Sequence, residues 1–137
     1  MGETLWTLER YMEMALDEAE SARDAGELGI GAAFVIDGEV VCVGRSRTVE
    51  RGSALAHAEL DVLTRGQPLV RRGGDTVLVA TVEPCLMCLG AALRVGVAQI
   101  AFGAANPRAG IKQLALPPPD LVYTGGVLES RATALFR

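Results

Sequence analysis

Thr76-Val77-Leu78-Val79-Ala80-Thr81 is a nearly continuous run of apolar and β-branched residues. Such a run predicts a central strand that is covered on both faces of a sheet. Pro84 then precedes a predicted helix from Cys85 to about Arg94, and Gln99-Ile100-Ala101-Phe102 forms a second short apolar run. The order strand, helix, strand predicts a parallel pair joined by a crossover helix.

Upstream of this unit, the sequence predicts a helix and a hairpin. From Thr4 to about Ala25, apolar side chains recur three and four residues apart, as on one face of an amphipathic helix. Residues 32–36 and 40–43 are apolar runs on either side of Asp37-Gly38, which is a strong signal for a two-residue hairpin. Two antiparallel strands are therefore expected after the first helix.

The remaining segments connect and close this arrangement. A polar loop over residues 44–53 leads to a predicted helix over 56–65, which Gly66 and Pro68 end. Residues 103–119 are irregular and include three consecutive prolines, so we expect a long surface loop, which is usually functional or disordered. A last strand at 121–123 and a closing helix at 129–136 complete the prediction.

Length and composition place the chain among globular proteins. Its 137 residues, half of them hydrophobic, suit one domain with a single core. The sequence lacks the roughly 18 unbroken apolar residues of a membrane span, and its first residues lack the basic start and apolar stretch expected of a signal peptide. Two of its three cysteines form a Cys-x-x-Cys pair and the third, Cys42, lies in an apolar run, which disfavours a secreted disulfide framework. We therefore expect a cytoplasmic protein without a membrane partner.

The charge balance favours small polar substrates. The formal net charge is −4, and basic residues cluster only at Arg45-Ser46-Arg47, Arg51 and Arg71-Arg72. A protein that grips a phosphate backbone needs several clustered cations. These clusters are thin for a large nucleic acid, so the sequence disfavours nucleic acid as a partner without excluding it.

Two short motifs carry chemistry. His57-Ala58-Glu59 and Pro84-Cys85-Leu86-Met87-Cys88 together supply one imidazole, two thiols and a spare carboxylate. A catalytic zinc keeps three protein ligands and leaves a fourth position for water. His57, Cys85 and Cys88 are therefore the predicted Zn²⁺ ligands. Cysteines three apart at a helix start lie on one face, where the helix dipole also favours their thiolates.

Glu59 is the predicted acid/base. Positions two apart on a helix point about 200° from one another, so Glu59 does not share the ligand face of His57. It is placed to exchange protons beside the open coordination position. The alternatives for the motifs are a redox Cys-x-x-Cys pair or a structural zinc site, and for Glu59 a charge that favours the helix dipole.

The two motifs resemble the zinc-dependent cytidine deaminase superfamily, whose signature is H-x-E followed by P-C-x-x-C. More narrowly, the chain looks like the branch that contains bacterial tRNA adenosine deaminase, guanine deaminase and fungal cytosine deaminase. The stretches that carry this likeness are Ala56-His57-Ala58-Glu59-Leu60, Val82-Glu83-Pro84-Cys85-Leu86-Met87-Cys88 and Ile100-Ala101-Phe102-Gly103-Ala104. The similarity runs from about Gly29 to Gly110, with a weaker echo at 125–129.

This resemblance implies a fold and a reaction. The fold is a three-layer α/β/α sandwich around a mixed five-stranded sheet, here a single deaminase domain over residues 1–137, usually in a homodimer or larger oligomer. The reaction is hydrolytic removal of an exocyclic amine, in which Glu59 protonates the ring nitrogen and then the departing ammonia.

Ser46 departs from the branch pattern. Members commonly carry an asparagine eleven residues before the ligand histidine, where its amide pairs with the base, and this chain has Ser46 there. A hydroxyl has a shorter reach and fewer hydrogen-bonding groups than a carboxamide. Ser46 is therefore a predicted substrate-binding residue for a smaller or differently oriented heterocycle.

Three functions follow from the sequence. The first is a zinc-dependent hydrolytic deaminase of a free nucleobase, nucleoside or related small heterocyclic amine. The second is a tRNA-specific adenosine deaminase, against which the acidic balance, the sparse basic clusters and Ser46 all count. The third is a non-catalytic zinc or thiol module that binds partners.

Overall fold

A mixed five-stranded sheet forms the centre of the structure, a computed structural model that describes residues 3–115 and 118–136. The strand order is β2-β1-β3-β4-β5. The first strand pairs antiparallel with its two neighbours, whereas the third and fourth, and the fourth and fifth, pair in parallel. The strands are β1 (Gly31–Ile36), β2 (Glu39–Arg45), β3 (Thr76–Val82), β4 (Gln99–Ala104) and β5 (Val122–Thr124).

Helices cover both faces of this sheet, so the predicted three-layer α/β/α sandwich is confirmed. The first and last helices lie on one face, and the two helices that flank the third strand in sequence lie on the other. None of the described helices has the length and apolar character needed to cross a membrane. The helices are α1 (Leu5–Asp24), α2 (Thr48–Arg51), α3 (Ala58–Gly66), α4 (Leu86–Val95) and α5 (Glu129–Phe136).

Successive side chains along each strand point to opposite faces of the sheet, so the two faces have separate cores. On β1, Ala33 and Val35 join the core under α1 and α5, whereas Ala32 and Phe34 join the core under α3 and α4. Every residue of β3 is buried, as its continuous apolar sequence predicts. The parallel pairing of β3 with β4 through α4 is also as predicted.

The predicted hairpin is present at Asp37-Gly38. Both residues have positive φ, 49° and 81°, which is the backbone that a tight two-residue hairpin with two left-handed positions requires. Residues 31–36 and 39–45 pair across it, with one register shift between Phe34 and Val35.

Three predicted boundaries need correction. The helix predicted from residue 56 begins at Ala58, and the helix predicted from Cys85 begins at Leu86. His57 and Cys85 are instead the N-cap residues, with extended backbones. The polar loop expected over 44–53 contains the end of β2 and the short helix α2.

The loop expected over residues 103–119 begins later than predicted and contains a short helical turn. The strand β4 continues to Ala104, and a 3-10 turn covers Gly110–Gln113. Part of the proline run, at position 117, lies outside the described residues. The last strand lies one residue later than expected, and the closing helix has the predicted bounds.

Gly31 marks the closest approach of α1 to the sheet. A Cβ atom at this position would fall on the carbonyl oxygen of Ala15 and lie 2.7 Å from the backbone nitrogen of Ala19. Backbone atoms on a packed helix cannot move aside as a flexible side chain does. This site therefore requires glycine.

We predict that Gly31→Ala lowers the free energy of unfolding by about 1–3 kcal/mol, because α1 must shift to admit the methyl group. Gly90→Ala is the matched control: Gly90 is exposed within α4 and has nothing within 4 Å of an added Cβ. The control should gain up to about 1 kcal/mol from helix propensity. Urea unfolding monitored by circular dichroism measures both changes, and an unaltered midpoint for Gly31→Ala would contradict the close approach.

Candidate active site

The starts of α3 and α4 bring the predicted metal ligands together. The Nδ1 atom of His57 lies 3.6 Å from Sγ of Cys85 and 3.5 Å from Sγ of Cys88. Neither N-cap side chain bonds to the first turn of its own helix. The imidazole and the thiols therefore point at one another instead of capping their helices.

The geometry of these three groups fits a zinc ion. Their ligand atoms all lie within 4.8 Å of one another. A tetrahedral zinc with bonds of about 2.3 Å to sulfur and about 2.0 Å to nitrogen separates those two atoms by about 3.5 Å. One imidazole and two thiols also form a donor set that zinc prefers. The three residues are therefore placed to hold a zinc ion.

The buried position of the Cys88 thiol also favours a cation beside it. Burial raises the pKa of its thiol, and the nearby Glu59 and Cys85 raise it further. This direction is opposite to the expectation that the helix dipole lowers the pKa. Because the thiol is fully buried, desolvation of the thiolate outweighs the dipole. A positive ion at this position would compensate the buried negative charge.

Glu59 lies in the first turn of α3, two residues after His57. Its side chain is only 4% exposed, and it lines the same cavity as His57 and Cys85. Burial raises the pKa of Glu59 to about 7, although a hydrogen bond from its own backbone opposes the shift. A carboxyl group in such a place can both accept and donate a proton.

A cavity of about 190 Å³ opens beside these groups. Ser46, His57, Glu59 and Cys85 all line it, so four of the five predicted site residues share one cavity. The fifth, Cys88, is fully buried and contacts His57.

Several residues that line the cavity were not predicted from the sequence. They come from distant segments: Leu28 and Ile30 before β1, Thr48 at the start of α2, and Phe136 at the end of α5. Asn106 also lines it, as the sequence allowed for the loop after β4. The apolar members resemble core residues in sequence, and only the fold shows that they face a cavity.

Glu83 is a further unpredicted residue of the site, and it holds the loop after β4 in place. Its carboxylate accepts hydrogen bonds from the backbone nitrogen of Asn106 at 3.1 Å and from the hydroxyl of Tyr123 at 2.8 Å. Its carbonyl accepts one from the side-chain amide of Asn106 at 3.4 Å. The side chain is 5% exposed. Glu83 therefore fixes where Asn106 meets the cavity.

The chain is similar to curated proteins that act on tRNA. It is 42% identical over 109 residues to the tRNA(Ile)-lysidine synthase of Deinococcus radiodurans, covering 75% of this chain and 18% of that protein. It is 36% identical over 140 residues to the tRNA-specific adenosine deaminase of Agrobacterium fabrum, covering 93% of this chain and 90% of that protein. The chain thus spans less than a fifth of the first relative and most of the second.

Solved structures agree with the fold. A structure from a study of A-to-I editing by tRNA:A34 deaminases at the wobble position of transfer RNA has a TM-score of 0.78 and 31% identity. The match covers 92% of this chain and 98% of that one. Residues 6–104 match the cytidine and deoxycytidylate deaminase zinc-binding region, which spans the histidine, both thiols and the carboxylate described above. The chain therefore belongs to the zinc-binding cytidine and deoxycytidylate deaminase family.

Proposed function

We propose that this protein is a zinc-dependent hydrolytic deaminase that converts adenosine to inosine in tRNA. The observation that carries the proposal is the cluster of His57, Cys85 and Cys88 beside Glu59, at the wall of a cavity. The similarity to a tRNA-specific adenosine deaminase over nearly the whole of both chains supports the choice of substrate.

His57, Cys85 and Cys88 are the proposed zinc ligands. His57 binds through Nδ1, the ring nitrogen that faces both sulfur atoms. Two thiolates and a neutral imidazole balance the two charges of the ion. When bound, zinc supplies a Lewis acid that lowers the pKa of water and so provides a nucleophile at neutral pH.

Glu59 is the proposed catalytic acid and base. Hydrolysis adds water to the carbon that bears the exocyclic amine, breaks the carbon–nitrogen bond and releases ammonia. The Glu59 carboxylate would take one proton from the attacking water and deliver it to the ring nitrogen. It would then take the second proton from the added hydroxyl group and deliver it to the amine, which leaves as ammonia while the ring carbonyl forms. Its place at the cavity wall puts one carboxylate within reach of the reacting groups.

The size of the cavity suits a single base. Its volume of about 190 Å³ is below the roughly 300–1,000 Å³ of pockets that bury drug-sized ligands. A base that belongs to a polynucleotide must therefore leave its stack and enter alone, as enzymes that do chemistry on bases require. The cavity lining combines apolar residues such as Ile30 and Val82 with the polar residues Ser46 and Asn106.

A free nucleobase or nucleoside remains the second candidate substrate, and Ser46 is the observation that favours it. Ser46 is 3% exposed and lines the cavity. A hydroxyl there leaves more room beside the ring than a carboxamide does. Ser46 is a proposed substrate contact for either substrate.

A homodimer and a cytoplasmic location are also proposed. A homodimer is supported by two exposed leucines, Leu86 at 45% and Leu93 at 39%. They lie seven residues apart on α4 and so share one face of that helix. The cytoplasm remains the proposed compartment, since the paired thiols of Cys85 and Cys88 serve as ligands and not as a disulfide.

Cys88→Ser should lose most of the bound metal, because a buried hydroxyl cannot replace a thiolate ligand. Metal analysis of the purified variant measures this loss directly. Cys42→Ser is the matched control: Cys42 lies on β2, belongs to no metal-binding cluster among the described residues, and should leave zinc unchanged. Stoichiometric zinc in Cys88→Ser would remove Cys88 from the ligand set.

Glu59→Gln should retain zinc and lose turnover by a factor of about 10²–10⁴, the usual contribution of general acid and base catalysis. The amide has the shape of the carboxylate but cannot exchange the proton. Zinc content and kcat are measured on the same preparation. Full activity in this variant would contradict the proposed role of Glu59.

An RNA hairpin with an adenosine in its loop should yield inosine and ammonia, whereas free adenosine, guanine and cytosine should react far more slowly. Mass analysis of the digested RNA and an ammonia assay measure the two products. Faster release from a free base would replace tRNA with the second candidate. No ammonia from any of these compounds would favour the non-catalytic zinc module.

A further inference from the structure

A second cavity adjoins the base-sized one, and His57 lines both. Its volume is about 160 Å³, and its lining includes three arginines, Arg45, Arg47 and Arg51. We infer that this arginine groove binds the phosphodiester backbone of the RNA strand whose base enters the first cavity. The inference rests on the proposed action on RNA and names the part of the protein that holds the strand.

Side chains that alternate in direction from Arg45 to Arg47 lie between the two cavities. Ser46 faces the base-sized cavity, whereas its neighbours Arg45 and Arg47 face the arginine groove. Consecutive residues in an extended chain point to opposite sides. The sequence showed these arginines as sparse clusters, but the fold gathers them on one side of His57.

Backbone contacts hold this segment rigidly against the metal site. The backbone nitrogen of Arg47 donates to the carbonyl of Ala56 at 2.9 Å, immediately before His57. The carboxylate of Glu27 accepts hydrogen bonds from the backbone nitrogens of Val49 at 2.9 Å and Glu50 at 2.7 Å. The short helix that carries Arg51 is thus fixed before any ligand arrives, which lowers the entropy cost of binding.

The charges of the groove leave guanidinium groups available for phosphate. Arg47 pairs with Glu50 at 3.1 Å, and both side chains are partly exposed. Such exposed pairs contribute little and exchange readily. Within residues 3–115 and 118–136, Arg45 and Arg51 have no carboxylate oxygen within 4.0 Å. The planar fork of arginine also matches a phosphate with two parallel hydrogen bonds.

The single carboxylate among the groove residues does not cancel this charge. Asp61 lines the groove, but its oxygen lies 2.8 Å from a guanidinium nitrogen of Arg65. The groove is therefore a local positive region on a chain whose formal net charge is −4. Since a free base or nucleoside carries no phosphate, the groove favours a substrate that does.

Binding of a fluorescent RNA hairpin at several salt concentrations tests this inference. Loss of a phosphate contact should reduce the slope of log affinity against log salt by about 1 for each arginine involved. We expect this reduction in Arg51→Gln and a larger one in the double variant Arg45→Gln with Arg51→Gln. Arg51→Lys should retain most of the slope, because it keeps the charge.

Arg72→Gln is the control of equal charge change. Arg72 is exposed in the loop before β3, outside both cavities, so its loss should leave the slope unchanged. Equal slopes in Arg51→Gln and in the wild type, or no binding of RNA at all, would overturn the proposal that the groove binds the RNA backbone. RNA that is bound through the groove but not deaminated would overturn the proposed function alone.

Discussion

The contact of the His57 imidazole with two thiols is the constraint on which the site depends. It requires two helices from separate parts of the chain to begin at the same place. The sheet provides this, because α3 and α4 both pack on the face made by Ala32, Phe34 and Leu78. Side chains of α3 and α4 share that core, so the distance between the helix starts follows from packing that any small shift would disturb.

The metal site uses positions that normally stabilise helices. Serine, threonine, aspartate or asparagine at an N-cap contributes about 1 kcal/mol by accepting a backbone hydrogen bond. Here His57 and Cys85 occupy the N-caps of α3 and α4, and neither side chain makes that bond. By contrast, Thr4 caps α1 with its hydroxyl. The chain thus forgoes capping at the two helices where ligand placement matters.

The unusual N-caps of α3 and α4 also help to explain which parts of the structure the sequence could predict. The Asp37-Gly38 hairpin and the apolar run of β3 are local signals, and both were predicted correctly. The starts of α3 and α4 were placed too early, because the residues at their N-caps, His57 and Cys85, are proposed metal ligands and carry no ordinary start signal. The three ligands and Glu59 were identified by motif, and the structure brings them together.

Features that need distant segments could not be read from the sequence. The sequence shows Glu83 only as the residue before Pro84. In the structure its carboxylate accepts hydrogen bonds from the backbone nitrogen of Asn106 and the hydroxyl of Tyr123. The arginines of the groove looked like scattered surface charges. Phe136 was predicted only as the end of the closing helix, and tertiary packing places it at the cavity. Such contacts depend on the relative position of segments that are far apart in sequence.

The opposite orientations of Ser46 and its two neighbouring arginines limit how this loop can change in length. A single inserted residue before Ser46 would exchange the two sides, because side chains alternate along an extended chain. A guanidinium would then enter the base cavity, and a hydroxyl would face the phosphate. The turn at Gly52, which has a left-handed backbone with φ of 56° and open space around it, carries no such restriction. Insertions and deletions among related chains should therefore collect near Gly52 and avoid the segment from Arg45 to Arg47.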